Sequence, residues 1–153
     1  MASRRKQQGI TVVEFAIVGV VFFTVMFGLI DFSRIFFDLA ALDESTRRGA
    51  RVAAVCPVND PYIQQVALFN GMVPTLTAGD IELFYLDIDG AALADPAGAN
   101  YGDIRFVRVA IDQNFQIQTF IPGIAGMIDL PSFETTIPSE SLGRVGLVDI
   151  ACT

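Results

Sequence analysis

The chain has no histidine, a single lysine and only two cysteines among its 153 residues. Without an imidazole there is no Ser-His-Asp or Cys-His arrangement, and no Walker loop, GxGxxG or HExxH stands in its place. Two cysteines and no histidine fall short of the four ligands of a structural zinc site. Basic residues are scarce in the distal part: after Pro57 only Arg105, Arg108 and Arg144 face twelve acids, within a net charge of -7. So acidic a distal half argues against nucleic acid as a partner and offers no polybasic patch to anionic lipids. Among the acids, Asp87 and Asp89 are close enough in sequence for acid-base work, but Asp89-Gly90 reads as a turn. A calcium loop starting at Asp87 fails as well, because Ala91 stands at the third ligand and Gly98 at the closing glutamate. Neither an enzyme nor a cofactor is expected.

What the chain does have is a long apolar run. After Arg4-Arg5-Lys6 and Gly9, the 21 residues 10–30 contain one charge, Glu14. A hydrocarbon layer of about 30 Å takes roughly 20 helical residues to cross, so this run is one complete span. It is longer than the apolar part of a secretory signal, and no A-x-A site follows it before Asp31. The basic cluster on its N-terminal side holds that end in the cytoplasm, which exports the acidic remainder. Glu14 lies four residues past Ile10, about 6 Å into the span, where a carboxylate can snorkel to the interface.

Past the span, residues 31–55 lack proline and keep Ile35, Leu39 and Leu42 at helical spacing. Cys56-Pro57 ends the helix, since a residue before proline is pushed out of helical geometry. The helix from Ile10 to Val55 is thus about 69 Å long, half in the membrane and half projecting. Ala40, Ala41, Ala50, Ala53 and Ala54 supply small positions for close packing. Asp43 to Arg47 and Glu44 to Arg48 have the spacing of helical ion pairs, and these arginines with Arg51 also suit the negative end of the helix dipole.

Beyond it, Asp60-Pro61 predicts an N-cap and first helical position for a short helix to about Phe69, stopped by Asn70-Gly71. Residues 81–88 are strand-like, Asp89-Gly90 turns the chain, and 91–103 form a loop. Residues 104–120 carry the strongest alternation, with Val107, Val109, Ile111, Phe115 and Ile117 on one parity, open to division into two strands at Asp112-Gln113-Asn114. A turn at Ile121-Pro122-Gly123, a helical turn over 124–128 and a last strand over 133–137 complete the chain. The fold class is α+β: a long N-terminal transmembrane helix whose distal half packs on a small antiparallel sheet. The two cysteines, Cys56 beside the helix end and Cys152 near the C-terminus, suit a disulfide in an exported domain, with two buried thiols as the alternative. Closing so long a loop would stabilise by up to about 4.7 kcal/mol.

The register of basic residues, Gly9, four residues and then Glu14-Phe15 resembles the leader and cleavage site of type IV prepilins. Residues 9–54 as a whole resemble the TadE-like minor pilins or pseudopilins of the tight-adherence (Flp) pilus. The matching residues are Gly9, Val13-Glu14-Phe15-Ala16, Gly28 through Asp31-Phe32-Ser33-Arg34, and Arg47-Arg48-Gly49-Ala50-Arg51 with Ala53-Ala54. Gly19 departs from the proline of many members, and Asp31 from the usual glutamate. The resemblance implies a pilin-like plan: leader 1–9, transmembrane helix 10–30, projecting helix 31–56 and periplasmic domain 57–153. It implies cleavage of the Gly9-Ile10 bond by a prepilin peptidase and pairing of Glu14 with a neighbouring subunit's N-terminal amine. Expected partners are that peptidase, other minor pilins, the major Flp pilin and the inner-membrane assembly platform, with Arg47, Arg48 and Arg51 as candidate assembly contacts. The expected location is the bacterial inner membrane, with the domain periplasmic and the mature chain available to a surface pilus. The role so implied is to assist pilus initiation or assembly for adhesion.

Two readings of other classes compete. A membrane-anchored extracytoplasmic binding or adhesion module, outside any pilus, would use residues 91–101 as its contact surface and would not be cut after Gly9. An envelope enzyme would need a pocket with perturbed carboxylates, and the absent nucleophile-base pairs disfavour it.

Overall fold

A computed structural model describes residues 7–119, 130–145, 148–149 and 152. One helix, α1, runs over Gln7–Val55, about 74 Å at 1.5 Å per residue. It begins three residues before the expected start and ends where Cys56-Pro57 demands. The second helix, α2, spans Pro61–Ala67, with the Asp60 carboxylate accepting a hydrogen bond from the Tyr62 amide and Pro61 in the first turn. It is two residues shorter than the sequence predicts, because the chain passes into a 3-10 turn over Phe69–Gly71.

Strands β1 (Ile81–Leu86), β2 (Phe106–Ile111) and β3 (Glu134–Pro138) form an antiparallel sheet in the order β1-β2-β3. Val109 of β2 stands opposite Leu83 of β1 and Thr135 of β3. Alternation along β2 works as expected: Val107, Val109 and Ile111 are buried in the core. On the other parity, Arg108 hydrogen-bonds Thr136 Oγ1 at 3.0 Å and approaches Glu134 at 3.7 Å. The core lies between this sheet, α2 and the distal half of α1, with Leu42, Ala50, Ala53, Ile63 and Ala67 fully or almost fully buried. Ala40, by contrast, is exposed.

Three expectations are corrected. The strand expected over 81–88 stops at Leu86, where the Asp87 carboxylate takes the amides of Asp89 and Ala91 and turns the chain. The long alternating run is a strand only to Ile111. Asp112 accepts the Asn114 amide in a turn, after which Phe115 and Ile117 enter the core without a ladder partner among the described residues. Nor is the strand near 133–137 the last, for a small hairpin follows, β4 (Arg144–Val145) against β5 (Val148–Asp149). The turn expected at Ile121-Pro122-Gly123 and the helical turn over 124–128 lie outside the described residues.

Candidate functional site

Helix α1 divides into two environments. Within residues 10–30 the side chains face outward, with Ile10, Phe15 and Val20 all more than 60% exposed, and an 18-residue stretch of mean hydropathy 2.4 has no buried position. Apolar side chains in such a continuous sleeve need a hydrocarbon solvent or a protein partner. Two hydroxyls along this part of the helix donate to backbone carbonyls one turn back. Thr24 donates to the Val20 carbonyl at 2.7 Å, and Ser33, just beyond, to that of Leu29 at 2.8 Å. A shallow apolar groove of about 480 Å³ crosses the sleeve at Gly19, lined by Phe15, Ala16, Val20, Phe23 and Phe27.

Gly9 and Ile10 lie in the first turns of α1, and Glu14 follows one turn later, exposed on the sleeve. The second environment begins abruptly at Asp31, which is 2% exposed, followed by Ile35 and Asp38 on the same face. Burial pushes the Asp38 carboxyl above its ordinary range, and the nearby Arg34 guanidinium pulls it partly back. Asp31 and Asp38 as buried acids were not legible beforehand; a charged residue amid helical periodicity is ordinarily read as solvated.

The arginine cluster is held locally. Arg47 pairs with Asp43 at 2.6 Å and Arg48 with Glu44 at 2.8 Å, as their i, i+4 spacing predicts. Arg48 also covers the Phe69 ring at 3.8 Å. Hydrogen bonding from Arg48 holds the Glu44 carboxyl below its ordinary range. Arg51 is exposed and makes no ion pair among the described residues, so it is the member of the cluster whose charge is open to a partner.

At the far end of α1 the chain closes on itself. The helix leaves its last carbonyls without internal partners. Those of Ala54 and Val55 accept the amides of Glu140, Leu142 and Gly143, and Val55 also takes the Ser141 hydroxyl. Gly143 has φ +73°, and a Cβ there would run into Pro57. Cys56 and Cys152 form a disulfide across 96 residues, with Cα atoms 5.7 Å apart. Residues 91–101 are knit by backbone turns: Asp95 accepts the amides of Gly98 and Ala99, so its carboxylate is spent on holding the loop.

This geometry defines a class: an α+β domain carried on one long helix, with a single apolar segment of membrane-anchoring length and composition among the described residues, at its N-terminal end. Residues 9–51 match the family model described as TadE-like protein, within the stretch 9–54 on which the sequence resemblance rests. The matched stretch is less than a third of the chain. No curated protein and no solved structure matches the chain.

Proposed function

We propose that this chain is a minor pilin, or pseudopilin, of a tight-adherence pilus, cut by a prepilin peptidase after Gly9 and serving pilus initiation or assembly for adhesion. The observation that carries the reading is the TadE-like match over residues 9–51, beginning at Gly9 and including Glu14 on the exposed apolar sleeve. Cutting after Gly9 frees an amine at Ile10, and Glu14 supplies a carboxylate one turn away on an adjacent copy or partner pilin. Desolvation consumes most of the Coulomb gain of such a pair, so its value is in fixing helix register. The groove at Gly19 supports lateral packing of a second pilin helix, small residues being what allows helices to approach in lipid. Arg51, with Arg47 and Arg48 behind their ion pairs, faces an acidic surface of the assembly platform or of another pilin. The N-terminus is cytoplasmic and the domain periplasmic, in keeping with the basic residues before the span.

The test is N-terminal mass spectrometry of the protein from membranes of hosts with and without the peptidase. A chain beginning at Ile10 only in the host that has the enzyme supports the reading. A chain still carrying its first nine residues in both hosts overturns it and favours the anchored binding module.

A further inference from the structure

We infer that the loop 71–74 is a second membrane contact, and that the groove between this loop and α1 is filled by zwitterionic lipid at the boundary between hydrocarbon and headgroups. The inference rests on the reading of residues 10–30 as a membrane span. The groove has a volume of about 470 Å³ and is lined by Leu29, Ile30, Phe37, Met72 and Pro74, with Ser33, Arg34 and Asp38 along its polar side. Leu29 and Ile30 belong to the span itself, so the groove opens out of the hydrocarbon layer and is continuous with it.

Depth follows from the helix rise. If hydrocarbon ends near Ile30, Arg34 lies about 6 Å and Asp38 about 12 Å beyond, spanning the headgroup layer of roughly 5–8 Å and its outer edge. Met72 packs at this level. It is a large apolar side chain 46% exposed, and Phe32, Phe36 and Phe37 extend the apolar surface of α1 past the span at 53–68% exposure. In water these groups would form an apolar patch without a reason; at the membrane surface they continue the span.

The loop is built to point Met72 outward. Phe69, Asn70 and Gly71 have φ of +49°, +56° and +71°, three successive left-handed residues that reverse the chain. Val73 and Leu76 then plug into the core, and Phe69 is pinned under Arg48. With its neighbours anchored, Met72 is held out at the height of Phe37. The acidic domain disfavours an anionic surface, which is why the lipid is taken as zwitterionic.

The chain has no tryptophan and three tyrosines, so each of the full-length variants Val20→Trp, Met72→Trp, Pro74→Trp and Ile88→Trp carries a single tryptophan, excited at wavelengths where tyrosine does not absorb. Ile88 is exposed beyond β1, at the end of the domain remote from the span. Each variant is reconstituted at low density in phosphatidylcholine vesicles carrying nitroxide lipids, after its disulfide is verified by mass. The expected result is quenching of Met72→Trp and Pro74→Trp at least about three-fold stronger than of Ile88→Trp, and greater with the nitroxide near the headgroup than near the chain end, as for an interfacial residue. Val20→Trp shows the opposite depth order. Quenching of the loop variants by aqueous acrylamide instead, with Val20→Trp still in lipid, overturns the inference and leaves the anchor standing. Protection from both quenchers that is lost on dilution assigns the groove to a second copy of the chain and also overturns it. Water-exposed Val20→Trp overturns the span reading itself.

Discussion

Gly49 of α1 faces Ala67 of α2 so closely that a Cβ added to the glycine would stand 2.9 Å from the alanine's Cβ and 3.2 Å from Val109 Cγ1 of β2. Helix, helix and sheet converge on this one position, and the glycine's missing side chain is what allows it. In a free helix Gly49→Ala would stabilise by about 1 kcal/mol. Here the methyl must displace α2 or β2, and the expected outcome is a net loss of about 1–2 kcal/mol, with Gly49→Val worse. Urea unfolding of the full chain in detergent measures it; a gain for Gly49→Ala would show that the three elements are loosely packed.

Two neighbouring hydroxyls are expected to differ in worth. Ser45, fully buried, donates to the Ala67 carbonyl, one that the end of α2 leaves without an intrahelical partner. Ser45→Ala strands that carbonyl and should cost about 1–3 kcal/mol. Thr46 donates to the Asp43 carbonyl at 2.9 Å, so the Thr135 hydroxyl must donate to Thr46 across their own 2.9 Å contact. Thr135 is only half-buried and water can replace that bond, so Thr135→Val should cost less than about 1 kcal/mol. Unfolding midpoints of the two variants in the same detergent give the comparison.

The disulfide between Cys56 and Cys152 closes a loop with a sequence separation of 96. Removing it should cost about 2–5 kcal/mol, chiefly by releasing the unfolded chain. Cys152→Ser and Cys56→Ser each lose the cross-link, and Cys56→Ser is expected to lose more because Cys56 is buried. Thermal unfolding with and without reductant checks this, since reductant should lower the wild-type midpoint and leave both variants unchanged.

Alkaline titration should single out Tyr85. Burial raises its phenol above 10, against a smaller opposing effect from the Asn59 amide, which donates to the phenol oxygen at 2.9 Å. Because the folded-state pKa is the higher one, the unfolded chain loses its proton first as pH climbs past 10. The native state then binds more protons, and stability falls with rising pH from that point, with no pH dependence from this group below it. Tyr85→Phe should flatten this fall. An unaltered pH dependence of stability in that variant would assign the alkaline loss to other groups.

The elements that depend on local chemistry were legible in the sequence, and those that depend on distant partners were not. Asp60-Pro61 opened α2 as expected because an N-cap needs only the amides of the next residues. The Asp43–Arg47 and Glu44–Arg48 pairs formed because helical spacing alone brings them together. The run after Asp112 failed as a strand although Phe115 and Ile117 kept their alternation, since a strand exists only where a neighbour offers a ladder. The β4–β5 hairpin was missed for the complementary reason: two-residue strands carry too few residues to show a period.

At the candidate site the same division holds. Sequence by itself determined the apolar sleeve of residues 10–30, the placement of Glu14 one turn past Ile10, and the end of α1 at Val55, because each follows from hydropathy, helical rise or proline geometry. Only the tertiary structure decided that Ser45, Thr46, Asp31 and Asp38 are buried, that Cys56 meets Cys152, and that loop 71–74 stands beside the end of the span. Burying a polar group requires a partner or cover brought from elsewhere in the chain, such as Ala67 for Ser45 or Thr135 for Thr46, and that supply is a property of the packed fold.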